Sequence, residues 1–123
     1  MPDELVAGAL DLVPPEFLAA LTRARDQIRD FHEREREQSW FTTRADGTML
    51  GVKVTPVASA AVYVPGGRAQ YPSTVLMDTM PAKVAGVERV VMVTPPQADG
   101  TLSAYTLAAA ALAGVDEVYA VGG

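Results

Sequence analysis

One pattern limits what this chain can fold into more than any single residue does: thirteen residues recur 28 positions apart. Residues 82–94 and 110–122 share a layout of helix-forming residues, a glycine (Gly86, Gly114), a charged pair (Glu88-Arg89, Asp116-Glu117) and an apolar run. A glycine at that point can take the left-handed conformation that ends a helix. Short Val-rich runs bounded by Gly and Pro predict strands buried on both faces. Two consecutive helix-to-strand units predict a parallel sheet wound by right-handed crossovers. The expected class is therefore α/β: a βαβαβ, Rossmann-like three-layer half with parallel strands, preceded by a long N-terminal helix. Such sheets bind ligands at the carboxyl ends of their strands, which directs attention to three loops.

The chain's 123 residues allow one modest core. A net charge of -5 and scattered basic residues exclude the basic stripe that a nucleic-acid partner requires; Arg34 and Arg36 alternate with Glu33, Glu35 and Glu37. The absence of cysteine removes disulfides, cysteine nucleophiles and thiolate metal sites, and fits a cytoplasmic protein. No basic N-terminal segment leads into an apolar core and no apolar window approaches membrane-spanning length, so no membrane partner is expected. His32 is the single histidine. A three-ligand zinc site cannot be assembled around it, and Ser-His chemistry would have to run through a helix residue far from the Gly-rich loops. Taken alone, the segment is expected to hold no metal and to perform no acid-base chemistry.

Residues 3–10 read as a short helical turn, and Pro14-Pro15 as the opening of a long helix. Phe17, Leu21, Ala24, Ile28 and Phe31 fall on one face of that helix, which is expected to end near Ser39-Trp40. Ala45-Asp46-Gly47-Thr48 is a turn signal, and residues 49–57 read as a strand or hairpin arm closed by Pro56. Ala60–Val64 is the first expected buried strand. Helix, strand, helix and strand follow at about 73–85, 89–94, 103–113 and 117–121. Pro81 is expected to kink its helix, because the carbonyl of Met77 loses its partner. Met77 and Met80 read as packing residues, and His32 as a helix residue at the edge of the core.

The first loop, Tyr63 to Arg68, carries Pro65-Gly66-Gly67 and leads to a helix whose expected cap is Ser73 or Thr74. A Gly pair lets backbone approach a ligand closely, and a helix N-terminus attracts anions. The spacing matches neither G-x-G-x-x-G nor the P-loop, so on pattern alone this is either a ligand loop or a plain strand-to-helix turn. Arg68 is either a phosphate partner or a solvated side chain, and Tyr63 either a stacking surface or a core aromatic. Thr94-Pro95-Pro96 forms the second loop, a rigid wall or a simple strand terminator. Gly122-Gly123 begins the third, and a strand ending there is expected to feed a further helix, so the fold is expected to be incomplete.

The stretch Val62-Tyr63-Val64-Pro65-Gly66-Gly67-Arg68, continuing through Tyr71-Pro72-Ser73-Thr74-Val75-Leu76-Met77, resembles histidinol dehydrogenase. The resemblance runs on through Pro81–Val87, Val91–Pro96 and Ala113–Gly123, covering about residues 54–123 with loop, Pro-Pro turn and both repeats in order. It implies an enzyme of histidine biosynthesis that oxidises L-histidinol to L-histidine through the aldehyde, with two NAD molecules each accepting a hydride and a zinc ion holding the substrate. Carried over by motif, Tyr63, Pro65 and Pro95 are the NAD-contacting residues. The pattern's further NAD-contacting glutamine, its zinc ligands and its Glu-His proton-handling pair fall beyond Gly123, so no catalytic or metal residue is expected here. Ala61, Thr55 and Asp78 depart from the family pattern, where Gly, Arg and Asn are common.

The resemblance thus implies an NAD-dependent oxidoreductase segment with residues 1–48 as a helical part and 49–123 as an incomplete Rossmann-like domain. It implies a cytoplasmic homo-oligomer acting on histidinol, with the isolated chain inactive. The alternative from another class is a non-catalytic α/β binding or assembly module, a truncated remnant with uncovered apolar faces that self-associates.

Overall fold

In the computed structural model, which describes residues 1–67 and 69–123, ten elements follow one another. They are α1 (Asp3–Gly8), a 3-10 turn (Ala9–Asp11), α2 (Pro15–Glu35), β1 (Trp40–Thr43), β2 (Met49–Val52), β3 (Ser59–Tyr63), α3 (Pro72–Ala85), β4 (Arg89–Thr94), α4 (Ala104–Ala113) and β5 (Glu117–Ala120). The α/β reading holds. β3, β4 and β5 form one parallel sheet in that order, with Ala61 opposite Val91 and Val91 opposite Glu117.

Both repeats fold alike. Each helix ends on a left-handed glycine, Gly86 at φ 94° and Gly114 at φ 83°. The next residue's amide reaches back five positions, Val87 to the Ala82 carbonyl at 3.1 Å and Val115 to Ala110 at 3.0 Å, which satisfies carbonyls that the helix end would otherwise orphan. Alternate strand residues then enter the core: Val62 and Val64, Val90 and Met92, and Val118 pack beneath Val75, Leu76, Met80 and Leu107. Ala108, Ala109 and Ala110 are all fully buried, and their small side chains let α4 lie close to its neighbours. Ala9, Val13 and Leu21 from the N-terminal elements join the same core.

The expectation that all three strands are buried on both faces is corrected for the outer two. Tyr63 is 52% exposed and Tyr119 45%, because α3 and α4 both cross on one side and no described element covers the other. Only β4, flanked by neighbours, keeps Val91 buried on that second face.

α2 turns Phe17, Leu21, Ala24 and Ile28 toward the core, and the Phe17 ring meets Tyr105 edge-on at 4.7 Å. Phe31 is instead 64% exposed, since the last turns of α2 overrun the core, and its ring meets His32 edge-on. The helix stops at Glu35, short of Ser39-Trp40, because Arg36 is extended (ψ 120°) and Trp40–Thr43 is claimed by an antiparallel pairing with β2. Helix and strand compete for these residues, and the long-range ladder wins. β2 in turn ends at Val52, well before 57; Val54 leaves the ladder and gives its amide to the Ser39 hydroxyl at 2.8 Å.

α3 begins at Pro72, whose fixed φ suits a first turn, so neither Ser73 nor Thr74 is the cap; Tyr71 holds that position without a side-chain bond. It continues through Pro81 as one element. Met80 is buried at 1% exposure, whereas Met77, on the outer side, is 60% exposed and not a packing residue.

Candidate functional site

Because β3, β4 and β5 run in the same direction, their carboxyl ends, Tyr63, Thr94 and Ala120, reach one edge of the sheet. The Val64 amide donates to the Val93 carbonyl at 2.9 Å and carries the ladder one residue further, so that Pro65 emerges beside Thr94. Gly66 then lies hard against the second loop. A methyl group there would fall 2.7 Å from Pro95 Cγ and 2.9 Å from its carbonyl oxygen, a separation only glycine permits. Gly122 meets the same cluster: its added methyl would lie 3.0 Å from Tyr63 Cε2 and 3.5 Å from Pro95 Cδ. The residues singled out from the sequence, Tyr63, Pro65 and Pro95, therefore share one rim, with half of the Tyr63 surface open to solvent. Arg68, the remaining candidate of the first loop, lies outside the described residues.

Behind the rim is a narrow cleft of about 20 Å³, bordered by Pro65, Gly66, Thr94, Pro95, Ser103 and Thr106 among others. Thr94 is 3% exposed and Thr106 7%. Sequence reasoning placed Thr94 in the second loop but missed Thr106, which lies in the next helix, twelve positions on. The signal was a polar residue closing an apolar run beside a capped helix start, since Ser103 Oγ accepts the Tyr105 amide at 3.2 Å. The wall between them is a tight turn in which the Gln97 amide donates to the Thr101 carbonyl at 2.8 Å, and Asp99 accepts from the Thr101 amide at 2.9 Å. These Thr101 bonds, hydroxyl first, hold the Asp99 carboxyl below its ordinary range.

Charges gather at the other edge of the sheet. The Asp116 carboxylate accepts from Lys83 Nζ at 2.6 Å and from the Val90 amide at 2.8 Å, and these two bonds lower its pKa. Arg89 grips Glu117 with two bonds, at 2.7 and 2.9 Å, and the Tyr119 hydroxyl donates to the same carboxylate at 2.5 Å. Glu117 is held down to about 2, by Arg89 first and Tyr119 second. Basic residues of the first repeat thus fasten acidic residues of the second, away from the rim.

A roomier concavity, about 420 Å³, also lies away from the rim, between His32, Glu35, Val54, Pro56 and Pro81. Its size does not make it the better site: it opens beside the amino ends of the strands, and α/β sheets place ligands at the opposite ends. There His32 pairs with Glu35. Among the described residues no three His, Asp or Glu side chains stand close enough to hold a metal ion. No single helix among them is long and apolar enough to cross a membrane.

Residues 1–123 match the family model for histidinol dehydrogenase. The chain is 57% identical over 115 residues to the histidinol dehydrogenase of Heliobacterium mobile, covering 94% of this chain and 27% of the relative. It is 57% identical over 107 residues to that of Bacillus subtilis (strain 168), covering 87% and 25%. The crystal structure of histidinol dehydrogenase from Elizabethkingia anophelis superposes over 100% of this chain and 28% of its own, with a TM-score of 0.92 and 30% identity. This chain therefore spans about a quarter of the length of the relatives it matches.

Proposed function

Because this chain belongs to the histidinol dehydrogenase family, we propose that it is the cofactor-holding part of an enzyme that oxidises L-histidinol to L-histidine through the aldehyde. The observation that carries the reading is the single rim on which Tyr63, Pro65, Pro95 and Gly122 meet. Its shape suits NAD: the Tyr63 ring offers a half-exposed face for stacking, and Gly66 keeps the first loop low enough for backbone to approach the ligand. Pro65 and Pro95 give rigid apolar walls that exclude water without adding a reactive group. NAD, when bound, accepts the hydride. Everything this chain does toward that step is to bind and orient.

Zinc belongs to the same proposal for the whole enzyme, but the described residues offer no donor set for it. By the resemblance, the zinc ligands and the groups that move protons belong to a part of the enzyme outside this segment, which contributes binding and orientation only. Residues 1–48 are read as a helical part and 49–123 as an incomplete Rossmann-like domain; α1 and α2 precede the division, β1 pairs with β2 across it, and the parallel sheet with its two helices follows it. The reading includes a cytoplasmic homo-oligomer with histidinol as substrate and neither nucleic acid nor membrane as partner, supported by the net charge of -5 and the family.

Calorimetric titration of the chain with NAD is the test. Saturable binding is expected, weakened about tenfold or more in Tyr63→Ala, the loss of roughly 1.4 kcal/mol that removing a stacking ring entails. Histidinol turnover and stoichiometric zinc uptake should both be absent. A folded chain that gives no heat with NAD overturns the cofactor assignment and leaves the non-catalytic assembly module.

A further inference from the structure

We propose that Asp46 is a site of spontaneous modification, closing on Gly47 to a succinimide and reopening to isoaspartate, and that Asp99, in the same tetrapeptide, is protected. The site lies away from the rim, and its existence does not depend on the cofactor reading.

Asp-Gly occurs at 46–47 and at 99–100. Glycine has no side chain to hinder the approach of its amide nitrogen to the preceding carboxyl. The Gly47 nitrogen attacks the Asp46 side-chain carboxyl carbon, a C–N bond forms, and the carboxyl hydroxyl leaves as water with the amide proton. Water then opens the ring at either carbonyl, giving aspartate or isoaspartate. Nothing is oxidised or reduced, and water is the only co-reactant. Isoaspartate carries the side-chain methylene in the main chain. Inserted between Thr43 and Met49, which are ladder partners, it should cost β1–β2 their register and leave the parallel sheet intact.

Both turns resist the reaction while closed. The Gly47 amide donates to the Arg44 carbonyl at 3.0 Å, and the Gly100 amide to the Gln97 carbonyl at 2.8 Å. Each carboxylate accepts its Thr amide at 2.9 Å. That Thr holds each carboxyl below its ordinary range, through the amide first at Asp46 and the hydroxyl first at Asp99, and so keeps it from the protonated form that reacts. Ring closure therefore waits on opening, and the two turns differ in what keeps them shut. The first closes β1–β2, a two-stranded sheet whose residues are all exposed. Such a hairpin is marginal in water, and segments with few buried contacts open most often. The second joins β4, where Val90 and Met92 are fully buried, to α4, where Ala108, Ala109 and Ala110 are. Within it the Thr101 hydroxyl lies 2.6 Å from Asp99 Oδ1 and 3.1 Å from Gln97 Oε1, bridging the two sides of the turn. Arg44 stands in the place of Gln97 in the first turn, and a guanidinium offers no acceptor for such a bridge.

Peptide mapping of the 123-residue chain held at neutral pH, with isoaspartyl methyltransferase labelling each separated peptide, tests this. In the folded chain isoaspartate should build up at position 46 about tenfold faster than at 99, the factor that one hydrogen bond to a charged group provides. In concentrated urea the two sites should react at one rate, since only the shared tetrapeptide then acts. Asp46→Glu should abolish labelling of the first peptide, because the longer side chain closes a ring far more slowly, and should leave the second unchanged. Thr101→Val, at an exposed position, should speed the reaction at 99. Equal rates in the folded chain, or product at both sites in urea and at neither without it, would mean that the hairpin turn stays as closed as the other, and Asp46 is then no special site. The same ratio in urea as in the folded chain would assign the difference to flanking residues and overturn the role of the fold. A Thr101→Val chain that reacts at 99 as slowly as the parent would overturn the protection of Asp99.

Discussion

At Gly66 the absence of one methyl group decides whether two loops can touch. The obstacle that matters to a Cβ is the Pro95 carbonyl oxygen at 2.9 Å, a backbone atom that cannot swing aside as a side chain could. Gly66→Ala should therefore destabilise by about 1–3 kcal/mol through overpacking and weaken NAD binding, both read by urea unfolding and calorimetry. Gly67→Ala meets no atom within 4 Å but sits at φ 104°, so about 1–2 kcal/mol of backbone strain is expected with less effect on the rim. Unchanged unfolding in Gly66→Ala would mean that the loops are not pressed together. At the other sheet edge the residue that matters is Glu117. Its folded pKa is depressed, so the stabilisation it gives is complete above its ordinary value of 4.5 and is lost as pH falls toward about 2. Asp116, lowered by Lys83 and the Val90 amide, acts in the same direction. Acid titration of the unfolding midpoint should decline across that window, and Glu117→Gln should flatten part of the decline. A variant with the parent's full acid dependence would show that the Arg89 grip does not stabilise the fold.

Elements show how local chemistry fixes a shape and where it stops. Ala-Asp-Gly-Thr occurs at 45–48 and again at 98–101, and both copies fold into the same turn. In each, the amide of the preceding residue donates at 2.8 Å to the Thr carbonyl, the Asp carboxylate accepts the Thr amide at 2.9 Å, and the Gly has positive φ, 88° and 82°. Gly47→Ala and Gly100→Ala should thus cost about the same, roughly 1–2 kcal/mol each, while only the second should also disturb NAD binding, because Gln97 borders the cleft. Unequal costs would mean that the surroundings, not the tetrapeptide, hold the turn. The second copy carries the same tetrapeptide as the first and went unread; the first copy, the repeat, its left-handed glycines and the parallel order were legible, since each rests on neighbours in sequence. The end of α2 was not: Glu33 to Glu37 favours continued helix, and what stops it is a partner strand nine or more positions later. Thr106 escaped for a related reason, for only the crossover brings this helix start to the cleft at the strand end that Thr94 closes.

For the whole molecule, the balance of apolar surface is the controlling fact. The core lies on one side of the sheet, and the hairpin β1–β2 is exposed along its whole length, with Trp40 54%, Phe41 65% and Met49 69% accessible. A two-stranded hairpin is marginal in water when nothing covers it, and apolar patches of this kind associate. Trp40 is the one tryptophan, so it reports on its own hairpin without labelling. As concentration rises, the mass measured by sedimentation should increase, and Trp40 emission should move to shorter wavelength together with it. Phe41→Lys should suppress both changes while leaving the parallel sheet intact, since Phe41 makes no part of the core. Rising mass with unchanged emission would instead place the contact on the uncovered sheet face, where Tyr63, Tyr119 and Val121 stand exposed. The rim and that face share Tyr63, so an association made there should compete with NAD, and one made through the hairpin should not.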